Sequence, residues 1–449
     1  MEIKRVLIAN RGEIALRALR TIKEMGKKAI CVYSTADKDA LYLKYADASI
    51  CIGNARSSES YLNIPNIISA AEIAEADAIF PGYGFLSENQ NFVEICAKHN
   101  IKFIGPSVEA MTLMSDKSKA KQMMQRAGVP VIPGSDGAIK GVEEAKKLAS
   151  KMGYPVILKA AAGGGGRGMR VVEKESELEK AYWSAESEAM TAFGDGTMYM
   201  EKYIQNPRHI EVQIIGDSFG NIVHIGERDC SMQRRHQKLI EESPAILLDD
   251  KTRKKLHETA IKAAKAIGYE GAGTFEFLVD KNLDFYFIEM NTRLQVEHCV
   301  SEMVSGIDII EQMIKVAEGY ALPAQESIKL RGHSIECRIT AEDPKSFVPS
   351  PGKLATYIPP AGRNVRMESH CYQGYSVPPY YDSMIGKLVV WAEDRNRAIA
   401  KMKVALNELI VGGIKTTRDF HLNMMENPDF INNAYDTNYL AKGRILINL

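Results

Sequence analysis

The feature that most constrains this chain is a run of four glycines, Gly163–Gly166, within the segment KAAAGGGGRGMR. Glycine loses more conformational freedom on folding than any other residue, so an ordered run indicates that bare backbone is needed there. The apolar segment YPVILK precedes the run and MRVVE follows it, which predicts a loop between two strands.

This loop is not a Walker A loop, because that motif (G-x-x-x-x-G-K-S/T) leads into a helix and occurs nowhere in the chain. A glycine-rich hairpin can instead cover a triphosphate, with backbone N–H groups donating to the phosphate oxygens. Lys159, directly before the loop, would add a positive charge. The alternative is a flexible surface loop, and the glycines alone do not exclude it.

The composition excludes several classes of protein. Lysine plus arginine and aspartate plus glutamate both number 57, so the net charge is zero and bulk attraction to nucleic acid or to a membrane surface is not expected. No apolar run approaches the roughly 18 residues of a membrane span. The N-terminus, MEIKRVLIAN, reads as a strand and not as a signal peptide. Seven scattered cysteines favour a reduced, cytoplasmic protein.

The order of elements predicts three regions, which is consistent with 449 residues at about 150 residues per domain. Residues 1–113 alternate strands and amphipathic helices, which indicates a parallel sheet with helices on its faces. A basic helix is predicted from Met111 to Arg126, near the first boundary. Residues 114–330 mix strands with helices, and residues 331–449 read as an α+β region of short strands and a helix.

A second hairpin, GTFEFLVDKNLDFYFIEMNTR, places two carboxylates face to face. A four-residue loop at 281–284 would pair Asp280 with Phe285 and therefore Glu276 with Glu289. Like charges in directly opposite positions destabilise a sheet, and Asn291 lies on the same face as Glu289. Carboxylate and amide oxygens are ligands for Mg²⁺ bridging nucleotide phosphates. A shifted register with both glutamates in solvent remains the alternative.

The segment NTRLQVEH continues from that strand. Alternation predicts Arg293, Gln295 and Glu297 on the face of Glu289. An arginine beside a carboxylate, with Lys238 and His236 of the basic segment MQRRHQK nearby, can hold a small anion while the carboxylate takes a proton. A solvated strand or a nucleic-acid patch is the alternative for MQRRHQK, but the zero net charge favours an internal anion site.

Longer motifs then carry a specific resemblance. Lys117, Lys159 with GGGGRG, MEKYI and FEF…IEMNTRLQVEH, in this order, resemble the ATP-grasp fold. MEKYIQNPRHIEVQ, ERDCSMQRRHQKLIEE, EMNTRLQVEH, ECRITAEDP and PYYDSMIGKL resemble the biotin carboxylase family, over nearly the whole chain. The resemblance implies a central ATP-grasp domain with a mobile lid at about 131–204, between a parallel-sheet domain and an α+β C-terminal domain.

The resemblance also implies a role for individual residues. It implies that the nucleotide contacts Lys117, Lys159, Gly164, Gly165, Gly166, Glu201, Lys202, Tyr203, Ile204, His209, Gln233, His236, Glu276 and Glu289. It implies that Mg²⁺ or Mn²⁺, as two ions, is held by Glu276, Glu289 and Asn291. It implies that bicarbonate is bound by Lys238, Arg293, Gln295, Val296 and Glu297. Arg338 would bind biotin, and the catalytic residues would be Lys238, Arg293, Arg338 and Glu297, the last as general base.

The implied activity is ATP-dependent carboxylation of biotin on a separate carrier protein, through carboxyphosphate. The family further implies a homodimer and separate carboxyltransferase subunits. The acceptor is expected to be acetyl-CoA, which would make the chain part of fatty acid synthesis, and a pyruvate or other acyl-CoA carboxylase is the alternative. Another ATP-grasp ligase or a nucleotide-binding regulatory subunit are the competing functions. Because Cys299 stands where many relatives carry proline, a packing difference is expected there.

Overall fold

The first sheet is parallel, as predicted. The computed structural model describes residues 2–160 and 168–443, apart from the side chains of Lys117, Ser118 and Phe193. The sheet has the strand order β3-β2-β1-β4-β5. Its elements are β1 (Arg5–Ile8), α1 (Gly12–Glu24), β2 (Lys28–Tyr33), β3 (Ala48–Cys51), α2 (Ile64–Ile73), β4 (Ala78–Phe80), α3 (Gln90–Lys98), β5 (Lys102–Phe103) and α4 (Val108–Ser115).

The predicted basic helix from Met111 to Arg126 is wrong as a single element. Helix α4 ends at Ser115, and α5 (Lys117–Arg126) follows after Asp116, whose backbone is extended. The Asp116 carboxylate accepts a hydrogen bond from the backbone N–H of Lys119 at 3.1 Å. Aspartate competes for backbone groups in this way and therefore favours a helix start over a helix interior.

A small sheet follows, with the strand order β7-β6-β8. Its strands β6 (Val156–Ala160) and β7 (Met169–Val172) are antiparallel, so the glycine run does connect two strands, although residues 161–167 lie outside the described part. Helices α6 (Val142–Met152) and α7 (Glu175–Phe193) and strand β8 (Met198–Lys202) complete this unit. All buried apolar residues of its core lie between Ile139 and Met200, so the unit packs on itself.

The largest sheet has eight antiparallel strands in the order β13-β12-β9-β10-β11-β14-β19-β17. Before the predicted boundary at residue 330 lie β9 (Arg208–Gly216), β10 (Ile222–Arg234), β11 (Gln237–Ser243), α8 (Asp250–Ala266), β12 (Gly271–Val279), β13 (Phe285–Asn291), α9 (His298–Ser305) and α10 (Ile309–Glu318). Strand β14 (His333–Thr340) pairs with β11 and carries the sheet across that boundary.

The remaining elements close the C-terminal side of this sheet. They are β15 (Gly352–Lys353), β16 (Thr356–Ile358), β17 (Val365–Ser369), β18 (Ser376–Val377), β19 (Met384–Ala392), α11 (Arg395–Glu408), β20 (Ile410–Gly412), α12 (Arg418–Glu426) and α13 (Pro428–Ile431). Their core includes Leu239 and Ile240 of β11. The core around β1 likewise includes Ile215 and Val223 of the large sheet. Within the described residues, no helix has the length and apolar character needed to cross a membrane.

Candidate active site

A cavity of about 1070 Å³ is lined by residues of both the small and the large sheet. Its size is at the upper end for a small-molecule site. Every predicted site residue whose side chain the structure describes lines this cavity: Lys159, Glu201, Lys202, Tyr203, Ile204, His209, Gln233, His236, Lys238, Glu276, Glu289, Asn291, Arg293, Gln295, Val296, Glu297 and Arg338. The Lys117 side chain and Gly164–Gly166 lie outside the described residues, so their placement stays a prediction.

At the small-sheet end, two lysines meet one carboxylate. The Lys159 ammonium lies 2.5 Å from Glu201, and that of Lys121 lies 2.7 Å from the other oxygen of the same carboxylate. Burial would raise the pKa of Glu201, but Lys159 and Lys121 outweigh burial and lower it. Two cations against one anion leave a net positive charge, which suits an anionic ligand.

Strand β8 lies at the edge of the small sheet, but backbone donors at its C-terminal end are already used. The Lys202 N–H donates to the Pro133 carbonyl at 2.8 Å, and the Tyr203 N–H donates to the Pro155 carbonyl at 3.1 Å. These hydrogen bonds fix the strand where it borders the cavity. They also mean that a ligand at this edge must use other backbone groups of Glu201–Ile204.

The β10–β11 turn supports the next part of the wall. Gln233 pairs with Lys238 across this hairpin, and the turn residues Arg235 and His236 have φ of 49° and 66°. Two left-handed residues are typical of a type I′ turn and are unfavourable for residues other than glycine, asparagine and aspartate. Such local strain occurs preferentially at functional sites. The turn holds the basic segment MQRRHQK at the cavity, as the interpretation of an internal anion site requires.

The predicted opposition of Glu276 and Glu289 is confirmed, although the predicted register of the hairpin is wrong. Phe285 pairs with Val279 and not with Asp280, so the loop is one residue longer than expected. A bulge at Ile288 adds one residue to β13, and Glu276 is again paired with Glu289 beyond it. The longer loop shifts the register by one residue and the bulge shifts it back, so the predicted pairing of Glu276 with Glu289 is still correct.

The pairing continues across two further strands and forms a row of charged residues. Glu276 is also paired with Glu211 of β9, which is in turn paired with Arg228 of β10. Glu211 and Arg228 are both fully buried, and the sequence analysis missed them. The segment HIEVQ held a usable signal, because Glu211 lies two residues after His209 and therefore on the same face.

Both oxygens of the Glu276 carboxylate are in contact with nitrogen donors. One of its oxygens accepts hydrogen bonds from Lys238 at 3.0 Å and from the amides of Asn291 and Gln295, each at 2.8 Å. The other oxygen lies 2.9 Å from Nε2 of His209. Burial would raise the pKa of Glu276, but Lys238 and His209 outweigh it, so the pKa lies below its usual value and the group is anionic.

This donor set fits a hard divalent cation. Glu276 and Glu289 face each other and line the cavity together with Asn291, so oxygen ligands converge on one wall. Glu211 adds a buried carboxylate beside Glu276, since ligand atoms of His209, Glu211 and Glu276 lie within 4.8 Å of one another. The Lys238 ammonium and the His209 ring both contact Glu276, which shows that this row of carboxylates attracts positive charge.

The segment after β13 reaches the cavity, but not as the predicted strand. Strand β13 ends at Asn291, and residues 292–297 are turn and irregular backbone, so the alternation argument does not apply to them. Arg293, Gln295 and Glu297 nevertheless all line the cavity. The chain turns before α9, and this turn brings Glu297 to the cavity.

Glu297 lies between two cations. Its two oxygens accept hydrogen bonds from Lys238 at 2.6 Å and from Arg338 at 2.9 Å, and only 2% of the residue is exposed. Burial would raise the pKa of Glu297, but Lys238, Arg338 and Arg228 together hold it well below its usual value. An ionised, dry carboxylate of this kind can accept a proton from a ligand in the cavity.

Arg293 is held by a residue that the sequence analysis missed. Its Nε donates to Glu88 at 2.9 Å, and its Nη2 donates to the Asn291 side chain at 3.0 Å. Glu88 also accepts hydrogen bonds from the N–H and the hydroxyl of Thr292 at 3.1 and 3.2 Å. Glu88 lies 205 residues before Arg293 in the chain, so no local pattern could have indicated this contact.

A small antiparallel sheet with a lysine pair, facing across one cavity a large antiparallel sheet with an acidic wall, is the arrangement of an ATP-dependent ligase of the ATP-grasp fold. Three family models match the chain: the biotin carboxylase N-terminal domain over residues 2–111, the carbamoyl-phosphate synthase L chain ATP-binding domain over 116–325, and the biotin carboxylase C-terminal domain over 336–442. The first model covers the parallel sheet, the second covers the small sheet and β9–β13 of the large sheet, and the third begins within β14 of the same large sheet.

Similar proteins agree with the models. A biotin carboxylase from Nostoc is 54% identical over 98% of this chain and 99% of its own length. The crystal structure of a Campylobacter jejuni biotin carboxylase–beta-gamma-ATP complex is 90% identical, with a TM-score of 0.91 over 98% of this chain and 99% of that one. A Hydrogenobacter thermophilus 2-oxoglutarate carboxylase biotin carboxylase domain dimer, in complex with MgADP, ADP and bicarbonate, is 47% identical, with a TM-score of 0.89 over 100% and 99% of the two chains. The chain belongs to the biotin carboxylase family and is a carboxylating ligase.

Proposed function

We propose that this enzyme uses ATP and bicarbonate to carboxylate biotin on a separate carrier protein, and that the carboxylated carrier then serves acetyl-CoA carboxylase. The observation that carries the proposal is the position of Glu297, an ionised carboxylate held by Lys238 and Arg338 at the base of the cavity. A general base beside an arginine and a lysine matches a small acidic anion that must lose a proton.

ATP would occupy the cavity between the two sheets. The net positive charge at Lys121, Lys159 and Glu201 suits the phosphates, which Lys117 and Gly164–Gly166 would also contact. The end of strand β8 and the residues that follow it, from Glu201 to Ile204, would line the adenine, and the remaining contacts would come from His209, Gln233 and His236. The Campylobacter structure contains a nucleotide analogue, which supports this assignment.

Glu276, Glu289 and Asn291 would hold Mg²⁺ or Mn²⁺, as two ions. A divalent cation at this wall supplies charge neutralisation for the phosphates and for the buried carboxylates. The row of Glu211, Glu276 and Glu289 explains why such charge is needed, since three carboxylates lie side by side on neighbouring strands. The relative from Hydrogenobacter is described with MgADP, which agrees with this proposal.

Bicarbonate would bind between Lys238, Arg293, Gln295 and the backbone of Val296. The Val296 carbonyl already accepts a hydrogen bond from Lys387 at 2.8 Å, so its N–H is the backbone group to offer an anion. Glu297 would remove the bicarbonate proton. The resulting dianion attacks the γ-phosphorus of ATP, the bond from that phosphorus to the bridging oxygen breaks, and ADP and carboxyphosphate form.

Carboxyphosphate would then break down to CO₂ and phosphate inside the cavity. The phosphate takes the N1′ proton of biotin, and the biotin nitrogen attacks CO₂ to give N1′-carboxybiotin. Arg338 would stabilise the negative charge on the biotin ureido oxygen, and Arg293 would stabilise the charged intermediates. Exclusion of water matters at this step, because water would hydrolyse carboxyphosphate.

Residues 131–204 would form the lid that excludes water. Their support is the separate core from Ile139 to Met200, which lets the unit move as a body. Directly before the unit, the Phe287 N–H donates to the Pro130 carbonyl at 2.8 Å, which attaches the chain to β13 of the large sheet. Comparison of nucleotide-free and nucleotide-bound crystal structures tests this, and identical positions of the unit in both would refute it.

The expected partners are a biotin carboxyl carrier protein, carboxyltransferase subunits and a second copy of this chain, in the cytoplasm. The dimer in the Hydrogenobacter relative supports the homodimer. That relative is named a 2-oxoglutarate carboxylase, which favours a second candidate acceptor, a 2-oxo acid such as pyruvate. Carboxyl transfer from the carboxylated carrier to acetyl-CoA or to a 2-oxo acid, with the cognate transferase, distinguishes the two.

One assay tests the reaction itself. ADP release is measured with and without bicarbonate and free biotin. Turnover that requires bicarbonate and rises with biotin supports biotin carboxylation. Turnover that rises with an amine or a purine substrate would instead indicate another ATP-grasp ligase, and nucleotide binding without turnover would indicate a regulatory subunit.

A further inference from the structure

Behind the proposed biotin site, two buried carboxylates face each other. Glu241 of β11 and Glu336 of β14 are directly paired across neighbouring antiparallel strands, and both are 0% exposed. Like charges in such positions repel, and burial removes the water that would screen them. The proposed mechanism gives neither residue a role, so their presence there needs a separate explanation.

Glu336 has no hydrogen-bond partner among the described residues. Neither of its carboxylate oxygens accepts a hydrogen bond within that part of the chain, and both are inaccessible to solvent. An ionised carboxylate in this situation is so unfavourable that the group takes up a proton instead. Its paired position opposite Glu241 puts the two carboxylates on the same face of neighbouring strands, and Oε2 of Glu241 also lacks a hydrogen-bond partner among the described residues.

Only one oxygen of the Glu241 carboxylate has a hydrogen-bond partner among the described residues. Its Oε1 accepts from Nε of Arg338 at 2.6 Å and lies 2.5 Å from Nη2 of the same guanidinium. Its Oε2 has no hydrogen-bond partner among the described residues. The same Arg338 Nη2 also donates to Glu297 at 2.9 Å. Glu241 therefore fixes the guanidinium from behind, while Glu297 contacts it from the cavity side.

The surrounding charges do not balance two ionised carboxylates. The charged groups that act on the pair from the neighbouring elements are Lys238, Glu297, Arg338 and Lys387. The other titratable groups beside the pair are the buried thiols of Cys230, Cys299 and Cys337, and burial raises the pKa of each thiol, so they stay neutral. Lys238 is shared among three other carboxylates, and Lys387 is bonded to Glu13 at 3.1 Å and to the Val296 carbonyl. Arg338 is the cation that contacts Glu241, and it already shares its charge with Glu297.

We propose that Glu241 and Glu336 share one proton and act together as the positioning residues of Arg338. One carboxyl and one carboxylate carry a single negative charge, which matches the guanidinium without drawing it away from Glu297. The role assigned to the pair rests on the proposed function of Arg338 toward biotin, whereas the shared proton does not.

The direction of the pKa shifts agrees with this arrangement. Burial raises the pKa of Glu241 to about 7, with Arg338 opposing the shift and Glu297 adding to it. Burial raises the pKa of Glu336 well above its usual value, and Lys387 does not compensate. The proton is therefore retained at neutral pH and lost in the alkaline range. Its loss doubles the negative charge of the pair, which then pulls the guanidinium away from the cavity.

Three variants test the proposal: Glu336→Gln, which keeps the shape of the protonated group without a proton to lose, Glu336→Asp, which keeps an ionisable group, and Glu241→Gln. Biotin carboxylation and bicarbonate-dependent ATP cleavage are each measured from neutral to alkaline pH. We expect wild type and Glu336→Asp to lose biotin carboxylation as the pH rises, and Glu336→Gln to lack this alkaline fall. We expect Glu241→Gln to reduce biotin carboxylation about tenfold more than ATP cleavage, the scale of one lost charge-assisted hydrogen bond.

A second measurement does not depend on activity. The infrared band of a buried protonated carboxyl group should be present in wild type at neutral pH, disappear in the alkaline range and be absent from Glu336→Gln. An alkaline fall that persists in Glu336→Gln, or a wild type without this band, would overturn the proposal. If Glu336→Gln does not fold, the pH titration of the wild-type band decides. A wild type that shows the band but no biotin-dependent turnover would contradict the proposed function and leave the shared proton established.

Discussion

Replacing Lys238 with methionine is the most informative single perturbation of the site. The ammonium lies 2.5 Å from Glu211, 3.0 Å from Glu276 and 2.6 Å from Glu297, and the lysine side chain is only 11% exposed. Methionine keeps the apolar stem and removes the charge. Three buried carboxylates would then share one cation fewer.

The contacts of these carboxylates set the size of the effect. Removing one partner of a buried ion pair costs about 3–5 kcal/mol. Each carboxylate keeps a second nitrogen partner, because Arg228 contacts Glu211, His209 contacts Glu276 and Arg338 contacts Glu297. We therefore expect a loss at the lower end, about 3 kcal/mol, which corresponds to a decrease of about 3 °C in Tm when all 449 residues unfold together.

The pH dependence has a definite sign. The pKa values of Glu276 and Glu297 lie below their usual values because Lys238 and other cations outweigh burial. A depressed pKa contributes stability above the unfolded-state value of about 4.3, and this stability is lost as the pH falls through the folded-state pKa. The difference in Tm between wild type and Lys238→Met should therefore be full at neutral pH and shrink below about pH 4.

Differential scanning calorimetry at several pH values measures this difference. Lys254→Met is the matched control, because the Lys254 side chain is 79% exposed and contacts only Glu258 at 3.9 Å among the described ion pairs. The control should unfold at the wild-type temperature. A Lys238→Met variant with an unchanged Tm at neutral pH, or with a difference that does not shrink in acid, would refute the reasoning.

Further variants test other parts of the site. Arg338→Ala should reduce biotin carboxylation more than bicarbonate-dependent ATP cleavage, as measured by carboxybiotin formation and ADP release, and equal losses would contradict its role toward biotin. Glu289→Gln should abolish Mg²⁺-dependent ATP cleavage while the circular dichroism spectrum stays that of the wild type, and full activity would remove Glu289 from the metal site. Glu88→Gln should raise the KM for bicarbonate about tenfold with a smaller effect on kcat, because Arg293 loses a charged partner at 2.9 Å; a change confined to kcat would argue against positioning. Acid should destabilise the fold through Glu242. Burial would raise the pKa of Glu242, but His333 and Arg395 outweigh burial and lower it, so the stability that this group contributes above about pH 4.3 is lost as the pH falls. A Tm that stays constant from pH 6 to pH 3 would contradict this.

The local pattern was enough to predict the parts of the site that lie on hairpins. The glycine run between two strands and the opposition of Glu276 and Glu289 both follow from alternation and turn residues. The register itself did not, because the bulge at Ile288 has no signal in the sequence and offsets a loop that is one residue longer than expected. Glu297 reaches the cavity through a turn, and strand alternation gave the right residue for the wrong reason.

The residues that the sequence analysis missed are defined by distant contacts. Glu88 contacts Arg293, and Glu241 contacts Arg338 across 97 residues of chain. A glutamate in a strand looks the same whether it faces water or a buried guanidinium, since alternation alone does not say what covers a face. Only the order of strands in the large sheet, with β11 next to β14, shows that Glu241 and Glu336 meet.

That order of strands also determines what would happen if the chain were cut at residue 330. The backbone ladder between β11 and β14 has four paired positions, from Ile240 with Cys337 to Ser243 with Ser334. In a fragment that stops at 330, β11 would be an unpaired edge strand, and Leu239 and Ile240 would lose the apolar residues that pack against them. Exposed edge strands pair with strands of other molecules, so we expect the shortened polypeptide to aggregate. Residues 331–449, about a quarter of the chain, would therefore keep the preceding part from associating with other copies through β11.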